Sequence, residues 1–350
     1  MSGRRTVSRN RRLFGVAPAL AAAALAAVLT AGCSAPGGAS PTAAEADPVR
    51  GEPAPSAASP YWVDPDSDAA RQVRAWDRQG REDDAKALRR IADRPVALWP
   101  AWDAPGPEIV AAAKAAAETK KSILLVAYNI PHRDCGLYSA GGAKDADAYR
   151  TWLGEFAEAI GDAPATVILE PDALPHIADG CTPPEHHAER YQLLSEAVDT
   201  LKAKPRTKVY LDAGNPDWIK EPSKIAEPLR QAGIDRADGF SLNVSNFQSN
   251  ASVKEYGALL SDAVGGGAHY VIDTSRNGGG PLTGDRAEAW CNPPGRALGT
   301  PPTTDTRDDR LDAYLWIKRP GESDGTCRGG PEAGTWWPEY ALGLAERATS

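Results

Sequence analysis

Five times in this chain of 350 residues an apolar run ends in, or leads straight to, an acidic side chain. The clearest case is Val167-Ile168-Leu169-Glu170-Pro171-Asp172. Pro171 has no N–H to donate, so it stops a strand there and turns the next carboxylate out of the strand's end. Leu124-Leu125-Val126-Ala127-Tyr128 leads to Arg133-Asp134-Cys135, Val209-Tyr210-Leu211 ends at Asp212, and Tyr270-Val271-Ile272 ends at Asp273. Tyr314-Leu315-Trp316-Ile317-Lys318 leads to Glu322 and Asp324. Carboxylates gathered in one cleft supply both a proton donor and a proton acceptor, which suits acid/base work on a neutral, polyhydroxylated substrate.

Such ends meet only if the strands run parallel and share one C-terminal mouth, as in an α/β barrel. Short apolar runs at 95–99, 123–128, 166–170, 208–212, 239–243, 270–273 and 313–318 predict seven strands covered on both faces. Helical patterns over 108–119, 146–160, 188–202, 221–232, 252–264 and 339–348 lie between and after them, and 69–92 forms a polar-rich helical entry. Alternation of strand and helix with right-handed crossovers gives a parallel sheet, and seven units predict a barrel rather than an open doubly wound sheet. No Gly-x-Gly-x-x-Gly follows a strand and no Gly-x-x-x-x-Gly-Lys occurs, which disfavours nucleotide binding.

The N-terminal residues read differently. Arg4, Arg5, Arg9, Arg11 and Arg12 precede an apolar, Ala-rich run from Leu13 to Leu29, followed by Thr30-Ala31-Gly32-Cys33-Ser34. That is the pattern of an export signal over 1–33 with Cys33 as the lipidated residue; Asn10-Arg11-Arg12-Leu13-Phe14 also fits twin-arginine export. An ordinary secretory peptide cut elsewhere is the alternative. Residues 34–60, rich in Ala, Pro, Gly and Ser, form a tether, and 61–350 a single domain without internal repeats or an appended module. The expected address is the outer face of the cell membrane, reached only through the lipid, or the medium. Net charge is −8 without a basic patch carrying aromatics, so nucleic acid is not an expected partner. Cys135, Cys181, Cys291 and Cys327 allow three disulfide pairings in an exported chain. Cys135–Cys181 and Cys291–Cys327 are favoured, because each clips a loop beside an acidic strand end. A zinc site is the competing reading, but no Cys-x-x-Cys spacing supports it.

Several segments together resemble glycoside hydrolase family 6, the inverting cellulases. They are Val126 through Gly136 with Ser139-Ala140-Gly141-Gly142, Val167 through Pro175, Tyr210 through Gly214, Asn243 through Phe247, Val271 through Gly278, Trp290-Cys291-Asn292, and Trp316-Ile317-Lys318 with Gly321 through Gly325. The likeness runs from about Pro95 to the C-terminus. It implies a distorted, seven-stranded parallel β/α barrel and an inverting β-1,4-glucanase that needs no cofactor or metal and works as a monomer on β-glucan chains. By that resemblance Asp172 is the general acid, Asp134 the neighbouring charge that raises its pKa, and Asp324 the base, acting directly or through water. Arg133 would keep Asp134 ionised, Asp212 would orient sugar hydroxyls or support Asp172, and Tyr128 would crowd the reacting ring. Ser139 would hold the attacking water. Trp99, Trp218 and Trp290 stand at stacking positions, and Lys318, Glu322 and Asn246 at positions that bond sugar hydroxyls. An inverting pair leaves room for water, with carboxyls about 6.5–9.5 Å apart.

Blander roles compete. Asp172 would merely cap the following helix, Asp324 would pair with Lys318 or Arg319, and His186-His187 would be a solvated surface pair. Trp62, Trp76, Trp152 and Trp316 read as packing, and Trp336-Trp337 has no assigned role. Asn215 stands where the family usually has His, which removes one expected sugar contact. The short pieces at 280–312 and after Cys327 predict an open groove and endo action; exo action of cellobiohydrolase type is the alternative. A glycan-binding lipoprotein without catalysis is a second class. A serine esterase, from the Gly-x-Ser-x-Gly of 321–325, lacks a histidine downstream of Ser323.

Overall fold

The computed structural model describes residues 59–284 and 288–349, so the export signal, Cys33 and nearly all of the tether lie outside the described residues. Its elements follow the chain as α1 Asp68–Arg78, α2 Glu82–Ala92, α3 Gly106–Glu118, β1 Ile123–Ala127, α4 Ala146–Ile160 and β2 Ala165–Leu169. Then come α5 Pro175–Ala178, α6 His187–Lys202, β3 Thr207–Asp212, α7 Pro222–Gln231, β4 Gly239–Leu242, α8 Asn250–Val264, β5 His269–Asp273, β6 Leu311–Leu315 and α9 Pro338–Glu346. The strands form one parallel sheet in the order β1-β2-β3-β4-β5-β6, with β1 registering Ile123 on Ala165 and β2 registering Ala165 on Thr207.

Side-chain alternation explains why the strands read as unbroken apolar runs. Ile123, Leu125 and Ala127 face the helices together with Val167, Leu169, Val209 and Leu211. Leu124, Val126, Ile168, Tyr210 and Val271 point the other way, into a smaller inner cluster. Both faces are therefore buried. A third cluster ties the chain's described ends together: Trp76 and Leu88 of the entry helices pack with Trp316 and with Leu344 of α9. Trp76, Trp152 and Trp316 are buried and Trp62 packs against the main core, as expected of packing residues. Trp336 and Trp337 fill the third cluster.

One expectation gains detail and another needs correction. The entry segment 69–92 is two helices, because Gly80 takes a positive φ of 73° that ends the first one in a left-handed turn. The seventh strand, 95–99, makes only one bridge, Leu98 opposite Leu125. Leu98 N–H donates to Leu124 O at 2.9 Å and Val126 N–H to Leu98 O at 2.8 Å, while Ala97 N–H donates to Trp316 O at 3.0 Å. The segment thus touches β1 on one side and the residue just after β6 on the other. Pro95 and Pro100 bracket it without N–H groups, so no ladder extends in either direction. The described sheet therefore has six strands.

Candidate active site

The strand-end carboxylates divide into two groups. Glu170, Asp212 and Asp273, with relative exposures of 1%, 1% and 0%, do not face solvent. Each instead fastens a neighbouring loop. Glu170, just after β2, accepts from the amides of Asn129 and Ile130 beyond β1, at 2.9–3.0 Å. Asp212, closing β3, accepts from the Asp172 amide beyond β2 at 2.9 Å and from the Ser241 hydroxyl at 3.2 Å. Asp273, closing β5, accepts from Ser245 beyond β4 at 2.9 Å and from Ile317 and Lys318 beyond β6 at 3.2 and 3.0 Å. Buried amides need such partners, so these acids serve as acceptors for loops rather than as solvent-facing chemistry.

The second group lines a cleft of about 740 Å³ at the strands' C-terminal ends. Asp134, Asp172, Glu322 and Asp324 line it, with Tyr128 and Lys318. Trp99, Trp218 and Trp290 stand on its walls, as do Asn246 and Ser139. Sequence reasoning placed all of these at the site, and the fold brings them together. Asp212 is the exception, because it lies behind Asp172 and does not line the cleft.

Local backbone makes this possible. Glu170 and Asp172 flank Pro171 with φ of +49° and +71°, values that non-glycine residues seldom adopt. Asp134, Cys135, Asn243, Ser245 and Asn292 are also left-handed. Such positions cluster where function fixes a turn that sterics disfavour.

Burial pushes the Asp172 carboxyl up to about 6; the cation of His176 opposes this, Asp134 reinforces it, and Tyr128 and Arg133 oppose it. The Tyr128 hydroxyl lies 3.4 Å from Asp172 Oδ2. Burial also raises Asp212, and the nearby Asp172 charge raises it further. His176, absent from the sequence reading, sits 3.7 Å from Asp134 and 3.6 Å from Asp179. Burial disfavours its imidazolium, yet Asp134, Asp179 and Asp172 outweigh that and lift it to about 9. Asp134, Asp172 and His176 bring potential ligand atoms within 4.8 Å of one another. The only sequence signal for His176 was its place four residues after Asp172, in what folds as the short helix α5.

Arg133 is tied to the backbone around it. Its guanidinium donates to Tyr128 O at 2.6 Å and Ser139 O at 2.8 Å and stacks over the Tyr128 ring at 4.4 Å. It holds the loop and the tyrosine, while Asp134 accepts from the Ser139 amide at 2.7 Å and faces His176.

Around Asp324 the partner missed by sequence reasoning is Arg276. Its Nη1 donates to Asp324 Oδ2 at 2.8 Å, its Nη2 to Ser245 O at 2.6 Å, and its plane covers Phe247 at 4.5 Å. Asn292 adds an amide donor at 3.0 Å, whereas Lys318 stands farther off at 3.9 Å. The expected alternative of a simple Lys318 or Arg319 pair is therefore incomplete; Arg319 pairs with Glu322 at 2.8 Å. Arg276 lay in a quoted motif, but nothing in the sequence tied it to a residue 48 positions away.

The aromatic walls are themselves fixed. Trp99 Nε1 donates to Ile317 O at 2.9 Å, with its ring edge-on to Tyr128. Trp218 Nε1 donates to Asp179 at 2.7 Å, edge-on to His176. Trp290 tilts against Tyr138, whose ring leaves no room for a Cβ at Gly325. Asn215 spends its Oδ1 on the amides of Asp217 and Trp218, so it shapes the Trp218 loop. Asn246 accepts from the Phe247 amide. Cys135–Cys181 ties the Asp134 loop to the turn after α5, and Cys291–Cys327 ties the Trp290 loop to the one following Asp324, as favoured from the sequence. His186 is not simply solvated: its ring stacks on His132 at 4.0 Å.

The model of the glycosyl hydrolases family 6 matches residues 56–348. The chain belongs to that family. Its membership makes it a glycoside hydrolase. Among family 6 relatives, Endoglucanase A of Thermobispora bispora is 43% identical over 303 residues, covering 85% of this chain and 64% of that protein. Endoglucanase A of Cellulomonas fimi is 41% identical over 298 residues, covering 84% of this chain and 62% of that protein, so the match spans less than two thirds of both. Endoglucanase 1 of Streptomyces halstedii is 43% identical over 291 residues, covering 80% of this chain and 87% of the relative. A solved family 6 structure, the endoglucanase Cel6 from Mycobacterium tuberculosis in complex with methyl-cellobiosyl-4-deoxy-4-thio-β-D-cellobioside, aligns with a TM-score of 0.77 at 44% identity. That alignment covers 84% of this chain and 99% of the other.

Proposed function

We propose that this family 6 hydrolase is an exported β-1,4-glucanase that cleaves cellulose-type chains internally and with inversion. One observation carries the reading. A half-buried carboxyl raised to about 6, Asp172, and a carboxylate ion-paired with Arg276, Asp324, line the same cleft, walled by three tryptophans. Two acids in different environments divide the roles of donor and acceptor.

Asp172 protonates the leaving glycosidic oxygen, with Asp134 as the charge that keeps its proton available near neutral pH. Tyr128, beside Asp172, presses on the reacting ring and favours its distortion. Asp324 is the base, acting directly or through an intervening water, with Ser139 placing the nucleophile. Trp99, Trp218 and Trp290 stack sugar faces, and Lys318, Glu322 and Asn246 bond hydroxyls. Asp212 supports Asp172 from behind. Endo action is supported by the endoglucanase names of the relatives and of the structural neighbour.

Export belongs to the same proposal: residues 1–33 as signal, Cys33 as lipid site, 34–60 as tether and 61–350 as a monomeric catalytic domain on the outer membrane face or in the medium. The two disulfides suit an oxidising compartment. No helix among the described residues is long and apolar enough to cross a membrane. The deciding experiment is proton magnetic resonance of fresh cellohexaose digests. Shorter products appearing first as the α anomer support the reading; β products, or no cleavage, overturn it.

A further inference from the structure

We propose a second glucan-binding site outside the cleft, built on Trp102. Among large apolar side chains of the described residues Trp102 is the most exposed, at 66%, yet its backbone is held firmly. Asn129 Nδ2 donates to Trp102 O and Trp152 Nε1 donates to Ala101 O, both at 3.2 Å. A tryptophan on a fixed segment presents a flat apolar face at little further entropic cost.

This face borders a separate groove of about 700 Å³ between the 102–103 turn, the 142–145 turn and the first half of α4. Asp103, Lys144, Asp145, Asp147, Thr151 and Glu155 line it. Among the described residues Asp103 and Glu155 make no ion pair, whereas Asp145 caps α4 and Asp147 holds Arg150. Asn129 also lines the groove; it is only 2% exposed, and its Oδ1 has no hydrogen-bond partner.

An aromatic plane flanked by carboxylates, a hydroxyl and an amide is the combination that takes a pyranose, the plane meeting C–H faces and the acceptors meeting hydroxyls. Four carboxylates against one ammonium repel anionic sugars and phosphates, so the ligand is a neutral glycan. The proposal rests on the glucanase reading for its choice of glycan, the β-1,4-glucan that also fills the cleft.

The two sites share their scaffold. Trp99 in the cleft and Trp102 in the groove stand three residues apart, a reach of about 10 Å. Tyr128 and Asn129 are adjacent in sequence, one lining each site. A polymer held at Trp102 raises the concentration of neighbouring chains at the cleft, an advantage only on long or insoluble substrate.

The test compares Trp102→Ala with the wild-type full chain. Cellohexaose hydrolysis is expected to stay within about twofold, while retention on insoluble cellulose and its hydrolysis fall about three- to tenfold, the scale of one aromatic contact. Glu155→Ala, which leaves the tryptophan in place, is expected to lower retention about two- to threefold. Unchanged retention in both variants, or an equal loss on cellohexaose and cellulose, overturns the site. A wild-type chain that cleaves no β-glucan but binds cellulose through Trp102 would sink the glucanase reading and leave this one standing.

Discussion

The Asp172 amide donates to Asp212 Oδ2 at 2.9 Å, so the proposed proton donor is oriented by the carboxylate closing the next strand. Asp212 has no access to the cleft and works only through its neighbour. Asp172→Asn is expected to lower turnover of carboxymethyl cellulose about 10²–10⁴-fold while oligosaccharide binding persists. Asp212→Asn should lower kcat with KM within about twofold, because no sugar contact is lost. A KM that rises with kcat unchanged would instead make Asp212 a sugar ligand.

His176 offers a pH test. Its imidazolium faces Asp134, Asp179 and Asp172, and it holds Asp172 below where burial and Asp134 alone would put it. In the wild type, activity should fall as pH rises through about 6, where Asp172 loses its proton. His176→Asn withdraws the cation, so that limb should shift upward, with kcat at acid pH changed less than about tenfold. A pH–rate series on a soluble oligosaccharide reads this directly, and an unmoved limb would show that His176 only packs against Trp218.

Arg276→Met leaves Asp324 buried without its ion pair, and Ser245 O without its donor. The expected cost is about 3–5 kcal/mol of folding stability, the scale of breaking one half of a buried pair. Arg276→Lys keeps the charge and should recover part of both stability and rate. Denaturant midpoints with single-turnover rates separate the two effects.

Glu170 is buried with its carboxyl pushed up to about 7, although the Asn129 and Ile130 amides pull it down. A carboxyl raised on folding stabilises the native state at acid pH, and that contribution is lost as pH climbs from the ordinary range through about 7. Glu170→Gln carries no charge and should unfold with a flatter pH dependence across that window. Glu170→Ala strands two buried amides and is expected to cost about 2–5 kcal/mol. Equal slopes for wild type and Glu170→Gln would show that Glu170 titrates normally.

Much of this was legible in one dimension. Hydrophobic period and breakers fixed five of the seven strand positions nearly to the residue, and the motif residues Asp134, Asp172, Glu322 and Asp324 do share one cleft. Local sequence determines these features because a strand covered on both faces must be apolar throughout and must end where proline or a turn interrupts it. It did not determine which strand-end acids face the cleft. Glu170, Asp212 and Asp273 look like Asp172 in sequence, and differ only in which neighbouring loop amides reach them. Nor did it determine that Arg276 pairs with Asp324 more closely than Lys318 does, that His176 sits among three acids, or that 95–99 makes a single bridge instead of a strand. Those outcomes depend on distances between groups far apart in the chain, and pKa and pairing follow distance and burial, which only the folded structure sets.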